Sequence, residues 1–195
     1  MAVGRTRQAL LDTAARVLVG NRAAGLDEVA VSAGVVRTTL YRHFHSREAL
    51  MRAVAMHAAE RAERALLDAE VEVGPVVPAL LRAAEGLISM EPQLQFLVEE
   101  ATRGDEAVLS RWGQIMSQLV KLVKRGQAEG VLRPEVSSEW TVRAFVALLF
   151  VAWQGIAEGS LAPREAPGLV TDTLLDGVGL RAEAAGRRGQ PRRAG

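Results

Sequence analysis

Leu26-Asp-Glu-Val-Ala-Val-Ser-Ala-Gly-Val-Val-Arg-Thr-Thr-Leu-Tyr-Arg-His-Phe-His-Ser-Arg-Glu-Ala-Leu50 carries the fold of this 195-residue chain. Leu26, Val29 and Ala30 stand at i, i+3 and i+4, which is one apolar helical face. Ala33 is small enough for a second helix to come close. Gly34 can take the φ > 0 conformation that ends a helix. The chain restarts at Val35, and Val36 to Tyr41 forms under two further turns with Leu40 inward and polar groups outward. Two short helices around a glycine corner predict a helix-turn-helix.

Arg37, Thr38, Thr39, Tyr41 and Arg42 on the second helix are residue types that suit a duplex. Arginine donates bidentately to guanine, threonine serves a base or a phosphate, and tyrosine and histidine reach phosphate oxygens. A helix of this size fits the major groove, about 12 Å wide. On residue types alone, a surface helix hairpin with solvated charges stays open as an alternative.

The run Ala33-Gly34-Val35, then Thr38-Thr39-Leu40-Tyr41-Arg42-His43-Phe44, then Ser46-Arg47-Glu48-Ala49-Leu50, resembles the DNA-binding region of the tetracycline-repressor (TetR) family of bacterial regulators. The resemblance covers about 45 residues. It implies three helices that bind DNA, a fourth that connects, and a C-terminal body that binds a ligand and dimerises through its last two helices. Three positions depart from the family pattern. Val36 replaces a usual serine that can cap the recognition helix and touch phosphate, so a cap of about 1 kcal/mol and one phosphate contact are missing. Gly25 is a weaker cap than serine or threonine, and Thr38 adds bulk where glycine is frequent.

Charge is distributed unevenly along the chain. The formal net charge is +1, but residues 1–54 hold eight arginines against four acids, residues 55–180 eleven bases against eighteen acids, and the last fifteen residues five arginines against one glutamate. A basic front on an acidic body is expected to meet nucleic acid with the front alone. Hydrophobic residues make up 49%, which argues against disorder, and the absence of cysteine excludes disulfides and thiolate metal sites. No apolar stretch follows the basic residues at the start, so no signal peptide is expected. The longest uninterrupted apolar run, Ala144 to Trp153, has ten residues where a membrane span takes about 20. No membrane partner is expected, and a cytoplasmic location is.

Helical periodicity continues along the chain. It predicts a first helix over Arg7–Val19, with Arg5 and Arg7 at its start, and a long connector from Arg47 to about Glu72, capped by Ser46 and ended by Gly74-Pro75. Further helices are expected over Pro75–Met90, Gln93–Thr102, Asp105 to about Gly126, Ser137 or Ser138 to Gly159, and Leu169–Leu180. The expected fold is therefore all-α with about nine helices. It comprises an N-terminal helix-turn-helix DNA-binding domain (1–46), a helical effector-binding and dimerisation domain (47–182) and a disordered basic tail (183–195).

Sites of other chemistries are missing from the sequence. His43 and His45 do not share a helical face, so no metal site is expected, and Gly177-x-Gly179 follows no strand. Neither a Walker loop nor a nucleophile elbow is present, so no cofactor and no enzymatic activity are expected. Glu99 and Glu100 read as a solvated face. A helical enzyme on an anionic substrate, or an adaptor or membrane-surface binder using the basic tail, are the rival classes.

The resemblance then implies a dimeric regulator, most often a repressor, on a palindromic operator of double-stranded DNA, released by a small-molecule effector. Arg37, Thr38 and Arg42 are expected at base edges, and Thr39, Tyr41, His43 and Arg47 at phosphates, Arg47 contributing to the salt dependence. Leu87, Met90, Phe96, Leu97, Trp112, Met116 and Leu119 are the candidate lining of an effector cavity, with Gln93, Gln114 or Gln118 orienting a hydrophobic or aromatic ligand; plain core packing is the alternative at each of these positions. Apolar residues nearly all round the Trp140–Ile156 segment suit a homodimer, with Trp140, Phe145, Leu149, Ala152, Leu174 and Val178 as the candidate interface; a buried central helix in a monomer is the alternative.

Overall fold

The computed structural model describes residues 2–180, with side chains from residue 7 onward. The basic tail and the Arg5 side chain lie outside the described residues. Nine helices follow one another among the described residues: α1 (Ala2–Gly20), α2 (Leu26–Ser32), α3 (Arg37–His43), α4 (Arg47–Asp68), α5 (Val76–Ile88), α6 (Glu91–Ala101), α7 (Glu106–Ala128), α8 (Ser138–Ala157) and α9 (Ala166–Val178). An isolated antiparallel bridge, Leu132 to Gly179, ties the α7–α8 connection to the end of α9.

Most helix starts have the chemistry read from sequence. Ser46 Oγ accepts from Ala49 N at 3.1 Å, and Asp105 Oδ1 accepts from Ala107 N and Val108 N. Val108 N–H first, then the Arg52 guanidinium and Ala107 N–H, hold the Asp105 carboxyl below its ordinary pKa against a smaller burial effect. Ser137, rather than Ser138, caps α8. Three boundaries are corrected. The first helix begins at Ala2 rather than Arg7. The connector α4 stops at Asp68, four residues early, because Glu70 takes φ 49° and reverses the chain before Gly74-Pro75 is reached. At 22 residues it spans roughly 33 Å. Pro167 lies in the first turn of α9, not in the preceding connection, since proline needs no N–H donor there.

The helices α1–α3 pack around Leu11, Leu18, Leu26, Val29, Leu40 and Phe44, all buried. The helices α4–α9 enclose a second apolar mass. Gly86 lets α5 approach α4 closely, since a Cβ built there would meet the Ala65 Cβ at 3.0 Å. Trp153 Nε1 donates to Ile88 O at 3.0 Å, pinning α8 onto α5.

By length and composition α8 could cross a membrane. Counting only uninterrupted apolar residues misses this, because Glu139 and Arg143, its two charges, fall in the first turns. Only 39% of its apolar stretch is buried within the chain. The inward side is Val142, Phe145, Val146, Leu149, Ala152 and Trp153. The outward side keeps Trp140 and Val151 exposed, at 56% and 64%.

This corrects the expected dimer interface. Phe145, Leu149, Ala152, Leu174 and Val178 are buried inside their own chain, so of the six candidates only Trp140 is free to meet a partner. An all-round apolar helix leaves the phase of its inward face undetermined, and packing against α5, α7 and α9 decides it.

Candidate nucleic-acid interface

The corner between α2 and α3 is built by the backbone. Gly34 takes φ 64°, Gly34 N donates to Val31 O at 3.1 Å, and Val35 N donates to Ala30 O at 3.0 Å. A side chain at Gly34 would be strained in that conformation. Leu40 is fully buried and Phe44 nearly so, and together they fix the rotation of α3. That rotation turns Arg37, Thr38, Tyr41, Arg42 and His43 to the surface and leaves Thr39 half-buried. Six of the seven expected DNA-facing residues are thus gathered on one short exposed helix. Its N-cap, Val36, makes no side-chain capping bond.

Arg37 is engaged before any duplex arrives. Its Nη2 pairs with Asp27 Oδ2 of α2, both side chains being well exposed. An exposed ion pair is worth at most about 1 kcal/mol, so a guanine edge can displace it. Nothing in the local spacing marks Asp27 as this partner.

Arg47, expected at a phosphate, has a different place. Its Nε donates to Ala24 O at 3.0 Å and its Nη2 to Arg22 O, both in the α1–α2 connection. The guanidinium is spent holding that loop against the start of α4, since backbone carbonyls there have no helical partner. Arg47→Ala is therefore expected to lower stability by about 1–3 kcal/mol. The slope of operator affinity against salt should stay unchanged, and salt titration with thermal melting checks both.

Glu99 and Glu100 are corrected as well. Glu100 is buried and Glu99 is part-exposed but paired: Arg22 Nη1 reaches Glu99 Oε2 at 3.1 Å, Nη2 pairs with Glu100 Oε1, and the guanidinium lies 4.7 Å from the Phe96 ring centre. Burial, with the like charge of Arg103, pushes the Arg22 pKa below its ordinary value despite Glu99. A second link lies nearby. Asp12 Oδ1 of α1 is 3.1 Å from His57 Nε2 and accepts from Arg61 at 3.0 Å and Gln93 at 3.2 Å. Through these two clusters α6 grips the DNA-facing unit.

The candidate lining of the effector cavity lies in and against the packed core. Leu87, Met90, Phe96, Leu97 and Leu119 are buried in the core, with Trp112 and Met116 packed half-buried against it. Gln93 is turned to Asp12 and Gln114 is exposed. Of the seven candidates, Met90 alone lines one of the clefts described: a polar one of about 390 Å³ between α4 and α5, with Arg61, Arg64, Arg82 and Glu85. Gln118 lines another, of about 550 Å³, with Leu66, Leu67 and Val71.

Similarities to known proteins cover most of the chain. Residues 10–54 match the model of the bacterial regulatory proteins, tetR family. The HTH-type transcriptional repressor LfrR of Mycolicibacterium smegmatis is 32% identical over 156 residues, covering 80% of this chain and 81% of LfrR. The crystal structure of LfrR from Mycobacterium smegmatis in complex with proflavine has a TM-score of 0.77 and 27% identity, over 91% of this chain and 98% of that one. The ketosteroid transcriptional regulator KstR2 of Mycobacterium tuberculosis, at 19% identity, shares the fold with a TM-score of 0.70, over 90% of this chain and 96% of its own.

Proposed function

The chain belongs to the tetR family of bacterial regulatory proteins and is a transcriptional regulator, not an enzyme; from that premise we propose that it acts as a homodimeric repressor on a palindromic operator, released by a small hydrophobic or aromatic effector. The observation that carries this reading is the exposed row Arg37, Thr38, Tyr41 and Arg42 on a short helix braced at the Gly34 corner. Residues 1–46 are the DNA-binding unit and 47–182 the effector-binding and dimerisation body. Action on a bacterial chromosome implies a cytoplasmic location.

Arg37, Thr38 and Arg42 take base edges, and Thr39, Tyr41 and His43 take phosphates. The partner copy packs on the outward side of α8, through Trp140, Ala144, Ala147, Leu148 and Val151, joined by Leu169 of α9. These α8 positions follow a 3–4 spacing and have too little cover within one chain. A two-fold axis through that face sets the two copies of α3 about 34 Å apart, one helical turn of DNA.

The effector enters by parting the side chains now packed between α5, α6 and α7. Any shift of α6 then acts on Arg22 through Glu99 and Glu100, and on Asp12 through Gln93. For complete release the effector must favour the DNA-incompetent state by about 5.5 kcal/mol, or 10⁴-fold. The complex of LfrR with proflavine supports a body of this kind that takes a small molecule.

Selection of bound sequences from random synthetic duplexes tests the reading. Enrichment of a two-fold symmetric site is expected, and a pool that stays unenriched overturns it. Arg37→Ala is expected to relax preference at one base pair of each half-site, by about 1–3 kcal/mol per contact, and repeating the selection with the variant measures it.

A further inference from the structure

Val36 stands at the N-cap of α3 with an extended backbone, φ −70° and ψ 143°. Its side chain does two things that folding does not reward. It makes no capping hydrogen bond to the free N–H groups of α3, and it is 68% exposed. Serine, threonine, aspartate or asparagine would serve that position better by about 1 kcal/mol. Neither packing nor capping therefore accounts for a branched aliphatic group here. Its immediate neighbours, Arg37 and Thr38, are exposed as well.

Position supplies what folding does not. The first residues of a recognition helix are those that reach base edges in the major groove. In that groove thymine alone among the four unmodified bases shows a methyl group, and small apolar side chains recognise it. Val31 is more exposed still, at 78%, but it sits on α2, the helix that crosses the backbone in this motif.

We infer that Val36 is a specificity-determining residue whose isopropyl group packs against the C5-methyl of one thymine in each operator half-site. The inference rests on the DNA-binding reading above and sharpens it. Arginine and threonine read hydrogen-bonding edges, while Val36 reads an apolar one beside them. Burying one methyl-sized group stabilises by about 0.8 kcal/mol, which is close to fourfold in affinity and about fifteenfold over two symmetric half-sites.

The test uses the full chain and the operator recovered from synthetic duplexes, whose only C5-methyl groups are those of thymine. Each symmetric pair of thymines is replaced by deoxyuridine, and affinity is measured for the unaltered protein, Val36→Ala and Val31→Ala. One pair is expected to lose about fifteenfold with the unaltered protein and with Val31→Ala, and to lose nothing with Val36→Ala. Equal sensitivity of Val36→Ala to that pair overturns the inference, as does specific binding with no thymine methyl that matters. Absence of specific binding by the unaltered protein overturns the DNA-binding reading itself, and the inference with it.

Discussion

Val151→Asp is expected to leave each chain folded and to abolish operator binding. Val151 is 64% exposed on α8, so a carboxylate there keeps its water while the chain is alone. In a two-fold interface each copy of the face meets its own twin. Both new charges would then be buried without partners, and an uncompensated buried charge costs about 3–5 kcal/mol. The dimer constant should weaken by at least about a hundredfold. Half an operator held by one subunit gives up the second set of base and phosphate contacts, and specific affinity goes with it. Sedimentation at micromolar concentration should show a monomer with unchanged helical circular dichroism. A dimer that persists with full affinity would mean that copies meet elsewhere.

Leu40→Ala should act in the opposite place, on the DNA-facing unit with the body intact. Leu40 is fully buried and is the only buried residue of α3. Truncating such a leucine costs about 2–5 kcal/mol. A seven-residue helix has no stability of its own, being far below the 12–15 residues at which isolated helices become marginal in water. Losing the one buried side chain within the helix therefore loosens α3 from the Gly34 corner, with Phe44 left to hold its end. Amide exchange over residues 26–43 is expected to accelerate by about 30-fold to a few thousandfold, while α5, α7 and α8 keep their protection. Unchanged protection across α3 would show that Phe44 and the turn hold the helix without Leu40.

Residues close in sequence carried most of what was legible. The Leu26, Val29, Ala30 face, the positive-φ Gly34, the inward Leu40 and the Ser46 cap all depend on partners within four or five residues. So does the missing cap at Val36. The order and number of helices among the described residues follow the same way. Glu70 at φ 49° is the exception, since no glycine or proline marks where α4 stops.

Long-range partners were not legible. Arg22 meets Glu100 across 78 residues and Gln93 meets Asp12 across 81, and no spacing rule relates such positions. Arg47 has the composition of a phosphate contact, yet two loop carbonyls take its donors. By itself the sequence determined an all-helical chain with a basic, glycine-cornered recognition helix, because turn chemistry and 3.6-residue periodicity act between near neighbours. Only the tertiary structure decided which side of α8 stays exposed, which side chains pack between α5, α6 and α7, and which charges join α6 to the DNA-facing unit. Those outcomes depend on how whole helices rotate and pack against one another.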